Sequence, residues 1–169
     1  YFKPNANLGI ELNDKTLGIF GLGRIGMAMA RRCKGAYNMN IIYCNRTPNE
    51  EAEKLYGARH VNFDEMLEQS DVISVHSVLG KETKEIFNKD AFIKMKPSAI
   101  FINTARGGIH NEIDLLDALN NKTILGAGLD VTNPEPMKPD NPLLEMENVC
   151  VLPHIGSATI EARNEMSRM

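Results

Sequence analysis

Residues 16–29 read Thr-Leu-Gly-Ile-Phe-Gly-Leu-Gly-Arg-Ile-Gly-Met-Ala-Met, and this stretch decides the fold of the chain. It opens with a short apolar run, Leu17 to Phe20, which is typical of a buried parallel strand. The run leads into Gly21-x-Gly23-x-x-Gly26, after which apolar residues recur at helical spacing. A strand, a glycine turn and a helix in this order are the context that a dinucleotide-binding fingerprint requires.

Each glycine of this fingerprint has a physical reason. Gly21 allows a tight turn, Gly23 lets the backbone approach a pyrophosphate without an intervening Cβ, and Gly26 lets the helix pack closely on its strand. The start of the helix then offers unpaired N–H groups and a partial positive charge to the phosphates. A glycine-rich turn without a ligand is the alternative, and the flanking strand and helix argue against it.

The totals describe an ordinary globular chain of 169 residues, with 43% hydrophobic and 24% charged residues. This length suits one α/β domain. The net charge of −3 gives no reason to expect nucleic acid or an anionic membrane as a partner. Because Cys33, Cys44 and Cys150 are odd in number and widely spaced, we predict buried, reduced thiols in a cytoplasmic protein.

Short apolar runs alternate with helical patterns along the chain, which predicts a doubly wound parallel sheet, the Rossmann fold. The predicted strands are Leu17–Phe20, Asn40–Tyr43, Arg59–Val61, Val72–Val75, Ala99–Ile102, Leu125–Leu129 and Val149–Leu152. Asn62-x-x-Glu65 is typical of a capping box, Asn111 can cap a helix, and a last helix is predicted from Ser157.

Polar side chains and glycines gather where the predicted strands end. They are Gly21 to Gly26, Asn45, Arg46, His76, Ser77, Asn103 to Arg106, Asp130 and His154. In such sheets ligands bind outside the carboxyl ends of the strands, so these residues can line one cleft.

The end of the second strand bears on cofactor choice. An acidic residue there usually accepts hydrogen bonds from the ribose 2′-OH of NAD. Here the sequence is Asn45-Arg46-Thr47, with no carboxylate and with a guanidinium that can pair with a 2′-phosphate. We therefore predict that NADP(H) is preferred and NAD(H) possible. The alternative is that Arg46 is a solvated loop residue and the domain accepts both cofactors.

Three further residues, Arg106, Glu135 and His154, have side chains suited to carbonyl reduction. Hydride reduction of a carbonyl needs a proton donor, and histidine suits neutral pH. A carboxylate against the far ring nitrogen would orient the imidazole and stabilise its charged form. An arginine can bind a substrate carboxylate and polarise the carbonyl oxygen. Taken singly, each is better explained as an ordinary loop, surface or helix-flanking residue, and it is their shared location at strand ends that favours a functional role.

Four segments together make the whole chain resemble the coenzyme domain of the D-isomer-specific 2-hydroxyacid dehydrogenases. They are Gly-Leu-Gly-Arg-Ile-Gly (21–26), Phe-Ile-Asn-Thr-Ala-Arg-Gly-Gly (101–108), Gly-Leu-Asp-Val-Thr-Asn-Pro-Glu-Pro (128–136) and Leu-Pro-His-Ile-Gly-Ser-Ala-Thr (152–159). Within this family, Asp-Val-Thr-Asn-Pro-Glu-Pro is most similar to the glyoxylate/hydroxypyruvate reductases.

The resemblance implies roles for individual residues. Arg106 would bind the substrate carboxylate, His154 would be the general acid and base with Glu135 as its partner, and Asp130 would lie near the nicotinamide carboxamide. The expected cofactor-binding residues are Gly21, Leu22, Gly23, Arg24, Ile25, Gly26, Asn45, Arg46, Thr47, Ser77, Thr83, Thr104, Ala105, Arg106, Asp130, His154 and Gly156. No metal ion is expected.

The resemblance also implies the organisation of a longer protein. We expect an arm or hinge at 1–13, the NAD(P)-binding domain at 14–156, and at 157–169 the start of a helix leading back to a separate substrate domain. The expected reaction is reduction of glyoxylate or hydroxypyruvate to the D-2-hydroxy acid, by a homodimer with no membrane partner. A corepressor-like nucleotide-binding protein, or a 3-phosphoglycerate or D-lactate dehydrogenase, is the alternative. Formate dehydrogenases fit less well, because their histidine pairs with glutamine.

Two other histidines are treated as minor features. His110 stands where the family usually has an apolar residue, and we regard it as incidental. His76 could contact the adenosine, although a strand-end histidine bonded to the backbone is the preferred interpretation.

Overall fold

The computed structural model describes residues 9–168 and contains one seven-stranded parallel sheet. Its strands are β1 (Thr16–Phe20), β2 (Asn40–Cys44), β3 (Arg59–His60), β4 (Val72–Val75), β5 (Ile100–Asn103), β6 (Gly126–Leu129) and β7 (Val149–Val151). The spatial order is β3-β2-β1-β4-β5-β6-β7, so the direction of winding reverses between β1 and β4. The predicted doubly wound fold is confirmed.

Within residues 9–168, five α-helices connect the strands and a sixth follows β7. They are α1 (Arg24–Tyr37), α2 (Glu50–Tyr56), α3 (Phe63–Gln69), α4 (Lys89–Lys94), α5 (Glu112–Asn120) and α6 (Ile160–Met166). Short 3₁₀ turns occur at Gly107–Ile109 and Pro142–Leu144.

The core lies on both faces of the sheet. Ile19 and Tyr43 belong to one buried cluster, whereas their chain neighbours Phe20 and Ile42 belong to a second. Successive side chains of a strand point to opposite faces, so the two clusters are the two sides of one sheet. This burial on both faces explains why the strands read as continuous apolar runs.

Several predicted boundaries needed correction. β5 begins one residue later than expected, and α6 begins at Ile160 instead of near Ser157, because the Thr159 hydroxyl accepts the N–H of Ala162 and caps the helix there. Asn62 caps α3 as predicted. The Glu65 carboxylate turns to Arg59 and the side chain of Gln69, however, so the reciprocal half of the expected capping box is replaced by a surface ion pair.

The prediction of three buried thiols is wrong for Cys150. Burial raises the pKa of the Cys33 and Cys44 thiols, both of which are half-buried. Cys150, in contrast, is exposed, because β7 is the edge strand and the side chains on one of its faces remain open in this chain.

The predicted arm at 1–13 falls mostly outside the described residues. Residues 9–12 form no regular structure, and a turn at 13–14 leads into β1.

Candidate active site

The glycine turn sits where the winding of the sheet reverses. Gly21 has φ +95°, and a Cβ on it would lie 2.7 Å from the backbone nitrogen of Ser77. A Cβ on Gly26 would lie 2.6 Å from the carbonyl oxygen of Gly21. A Cβ on Gly23 would meet no atom within 4 Å. The packing of the chain therefore requires glycine at positions 21 and 26. Nothing among the described residues requires it at Gly23, where the space beside the backbone is open to a ligand.

The start of α1 borders this open space. Gly23 is its N-cap, no side chain among the described residues caps it, and its first turn carries no acidic residue. Arg24 and Ile25 are exposed there. An uncapped N-terminus of a 14-residue helix, with room beside its N-cap glycine, fits the pyrophosphate of a dinucleotide.

Asn45 holds the glycine turn from the neighbouring strand. Its Oδ1 accepts the N–H of Leu22 at 2.7 Å, and the carbonyl oxygen of Leu22 accepts an N–H of Asn49 at 3.2 Å. His60 Nε2 lies 3.0 Å from the carbonyl oxygen of Asn45. The amide oxygen of Asn45, expected at the cofactor, is thus engaged within the chain, while Arg46 and Thr47 are exposed beyond it.

The loop after β4 is stabilised by its own side chains. The Thr83 hydroxyl accepts the N–H of Gly80 at 2.8 Å and donates to the carbonyl oxygen of Val78 at 2.7 Å. Ser77 is half-buried against the glycine turn. The expectation that the backbone satisfies His76 is wrong, since its Nε2 is 2.8 Å from the Ser74 hydroxyl. Burial lowers the pKa of His76.

The loop after β5 presents the candidate arginine. Thr104 and Arg106 are exposed, and Ala105 between them is half-buried. The Arg106 Nη1 donates to the carbonyl oxygen of Ala105 at 2.6 Å. Gly107 fixes the course of the next turn, because a Cβ there would lie 2.0 Å from the carbonyl oxygen of Thr132.

The candidate acid and its partner meet at a cavity of about 560 Å³ near the ends of β6 and β7. Nδ1–H of His154 donates to Oε1 of Glu135, which is possible in this direction only, because an ionised carboxylate has no proton to give. The lining comprises Asp130, Thr132, Glu135, Pro136, Met137, Leu144 and residues 151–154, and does not include Arg106.

This pair contributes little to folding. The side chains of His154 and Glu135 are 46% and 40% exposed, and an ion pair at such exposure stabilises a protein by only about 0–1 kcal/mol. The contact does, however, fix the orientation of the His154 ring. With Nδ1–H committed to Glu135, Nε2 is the nitrogen left to exchange a proton with a ligand.

Asp130 stabilises the loop after β7, a structural role that the sequence analysis missed. It is 5% exposed, and its Oδ1 and Oδ2 accept the N–H groups of Ile155 and Gly156, each at 2.7 Å. Ile155 and Gly156 directly follow His154. The backbone of His154 itself has a left-handed φ of +55°. Residues other than glycine seldom adopt this conformation, and the two bonds to the Asp130 carboxylate hold the turn that presents the imidazole. Gly156, an expected cofactor residue, is one of its donors.

His110 is also more than incidental. It is fully buried, its Nδ1 lies 3.0 Å from Nδ2 of Asn103, and its Nε2 is a buried atom without a hydrogen-bond partner among the described residues. Phe101 packs edge-on against the ring. Burial lowers the pKa of His110 to about 4. The signal in the sequence was a histidine in an otherwise apolar position.

We expect this buried imidazole to make the fold sensitive to acid. Because the folded-state pKa lies below the usual 6.5, its contribution to stability is complete above pH 6.5 and is lost as the pH falls to about 4. At about 1.4 kcal/mol per pKa unit, the loss is roughly 3 kcal/mol. The free energy of unfolding of wild type minus that of His110→Leu, from urea titrations between pH 7 and 4, should fall by this amount. If this difference in unfolding free energy stays constant between pH 7 and 4, the pKa of His110 is not lowered by burial.

Two kinds of feature are absent from the described residues. Within 9–168, no group of three or more His, Cys, Asp or Glu side chains is placed to hold a metal ion. No helix in the same range is both long and apolar enough to cross a membrane.

Comparison with known proteins agrees with this geometry. The family described as D-isomer specific 2-hydroxyacid dehydrogenase, NAD binding domain, matches residues 1–156. A glyoxylate/hydroxypyruvate reductase B of Shigella boydii serotype 4 (strain Sb227) is 47% identical over 159 residues, which are 94% of this chain and 49% of that protein.

Solved structures show the same relationship. A glyoxylate reductase from Paecilomyes thermophila superposes with a TM-score of 0.90 at 42% identity, covering 98% of this chain and 49% of the other. The TT0316 protein from Thermus thermophilus gives a TM-score of 0.91 at 39% identity, with coverages of 99% and 51%. The chain thus spans about half the length of the relatives it matches. It belongs to the D-isomer specific 2-hydroxyacid dehydrogenases and contains their NAD-binding domain.

Proposed function

We propose that the whole protein reduces glyoxylate or hydroxypyruvate to the corresponding D-2-hydroxy acid with NAD(P)H. The observation that carries this proposal is the His154–Glu135 pair beside a cavity of about 560 Å³, on a turn held by Asp130. The names of the relatives, glyoxylate/hydroxypyruvate reductase and glyoxylate reductase, support this choice of substrates. An ordered imidazole that stabilises the fold so little is better explained by chemistry than by structure.

The roles of the residues follow from their chemistry. The bound dinucleotide would supply the hydride, with its pyrophosphate held at the glycine turn and the start of α1. Nε2 of His154 would donate the proton that turns the carbonyl oxygen into a hydroxyl, while Glu135 keeps the ring oriented and stabilises its positive charge. The Arg106 guanidinium is exposed on the loop after β5. It would bind the carboxylate of the substrate through paired N–H donors.

The decisive experiment uses the full-length protein. Oxidation of NADPH and of NADH should be followed by absorbance, with glyoxylate, hydroxypyruvate, pyruvate and 3-phosphohydroxypyruvate as substrates. We expect the highest kcat/KM with glyoxylate or hydroxypyruvate. Nucleotide binding without turnover of any of the four acids would favour a corepressor-like regulatory protein instead. Preference for pyruvate or for the phosphorylated acid would favour a D-lactate or 3-phosphoglycerate dehydrogenase.

We further propose that NADPH is preferred over NADH, because Arg46 is exposed at the end of β2, where NAD enzymes usually have a carboxylate. Arg46→Asp should weaken NADPH binding by about 1.5–3 kcal/mol, since a charged hydrogen bond becomes a repulsion, and should improve NADH binding. Dissociation constants for both cofactors, from fluorescence titration, test this proposal.

Arg32→Asp is the matched control for this substitution. It makes the same change of charge on an exposed residue of α1, about two turns beyond the start of that helix. If both variants bind NADPH as wild type does, Arg46 is a solvated loop residue and the cofactor proposal fails.

Two proposals concern the whole protein in its setting. We propose a homodimer, tested by sedimentation of the full-length enzyme, where a monomer at micromolar concentration would contradict it. We also propose a cytoplasmic location, which the free thiols of Cys33, Cys44 and Cys150 support, since reduced cysteines are typical of that compartment. Fractionation of cells that express the protein would test the location.

A further inference from the structure

The side-chain amide of Asn103 is the centre of a buried network at the end of β5. Its Oδ1 accepts the N–H of Ala105, and its Nδ2 donates to the carbonyl oxygen of Arg106, both at 3.0 Å. These contacts fix the orientation of the amide, because exchanging oxygen and nitrogen would place like groups against each other. The backbone of Ala105 and Arg106, the two residues after Thr104, is therefore held by one side chain.

The side chain of His110 also contacts the Asn103 amide. With the amide orientation fixed, the second hydrogen on Nδ2 of Asn103 faces Nδ1 of His110 at 3.0 Å, so Nδ1 must accept. The neutral ring then carries its hydrogen on Nε2, which is the buried atom without a partner among the described residues. A buried donor left unsatisfied costs about 1–3 kcal/mol, so a residue chosen for packing alone would be apolar.

We infer that His110 is a positioning residue for Arg106. Its Nδ1 holds the Asn103 amide, and the amide in turn holds the backbone of the loop that presents the guanidinium. The inference rests on the proposed role of Arg106 as the group that binds the substrate carboxylate. It gives a reason for a histidine in a core position next to Phe101 and Phe87, where its ring otherwise has an unpaired polar atom.

A pair of variants of the full-length enzyme separates this role from simple packing. His110→Leu removes the acceptor, whereas His110→Asn can place its Oδ1 near the position of Nδ1 and so retain one. His110→Leu should raise KM for glyoxylate by about 2–10-fold, the range expected for one hydrogen bond, with kcat and KM for NADPH within about twofold of wild type. His110→Asn should restore KM for glyoxylate. A packing defect alone would lower the melting temperature of both variants without this pattern.

A second measurement does not depend on the reaction. Exchange of the Ala105 amide hydrogen, followed by NMR, should become about 2–10-fold faster in His110→Leu and return towards wild type in His110→Asn, while amides of β1 stay unchanged. Unchanged exchange at Ala105 in His110→Leu overturns the inference whether or not the enzyme reduces glyoxylate. Absence of turnover in the wild type refutes the proposed function alone. If His110→Leu gives too little folded protein, His110→Met provides the same test.

Discussion

Replacing His154 with alanine should lower kcat for reduction of glyoxylate by roughly 10²–10⁴-fold, the usual loss when a positioned acid is removed. The dissociation constant of NADPH should change little, because the glycine turn and the start of α1 remain intact. Stability should also change little, because the ion pair with Glu135 is about half exposed and contributes about 0–1 kcal/mol. Steady-state kinetics, fluorescence titration with NADPH and thermal unfolding would provide these three values.

Glu135→Gln is the informative companion of this variant. Its amide oxygen can still accept the Nδ1–H of His154, but the negative charge that stabilises the imidazolium is gone. We expect a rate between those of wild type and His154→Ala. A loss smaller than tenfold in His154→Ala would mean that the proton comes from another group and that the pair at the cavity is an ordinary surface contact.

Gly23→Ala should weaken NADPH binding by at least about tenfold, or 1.4 kcal/mol, because its Cβ would occupy space that the chain leaves open beside the start of α1. Its φ of −87° suits any residue, so the free energy of unfolding should change by less than about 1 kcal/mol. Isothermal titration calorimetry and urea unfolding of the same sample would separate binding from stability.

The other glycines of α1 provide the controls. A Cβ on Gly35 would also meet no atom within 4 Å, so Gly35→Ala should leave NADPH binding unchanged. Gly26→Ala should instead destabilise the fold, because its Cβ would lie 2.6 Å from a backbone oxygen that cannot move freely. If Gly23→Ala binds NADPH normally, the phosphates do not approach the chain at this turn.

Local patterns predicted those parts of the structure that depend on neighbours in the chain. The strands were readable because both faces of the sheet are buried, which produces unbroken apolar runs such as Leu17–Phe20. The cap at Asn111 was readable because it acts three residues away, on the N–H of Asp114. The pairing of Glu135 with His154, in contrast, came from the family resemblance, since spacing alone does not bring two loops together.

The features that the sequence analysis missed depend on contacts between distant residues. Asp130 and Gly156 are 26 residues apart, and the choice of Asp130 as a backbone acceptor depends on the loop after β7 folding back onto β6. Exposure of Cys150 depends on which strand lies at the edge of the sheet. Neither feature can be predicted from the spacing of apolar and polar residues along the chain.

The left-handed backbone at His154 means that stability and chemistry favour different residues at one position. Glycine adopts such a φ without steric cost, whereas a residue with a Cβ loses about 1–2 kcal/mol there. A glycine would therefore make this turn more stable, and the proton transfer proposed for His154 gives a reason for an imidazole at this position. A designer who copied only Glu135 and His154 onto another parallel sheet would omit the buried carboxylate that keeps this uncommon turn in place. The smallest transferable unit is the trio with Asp130.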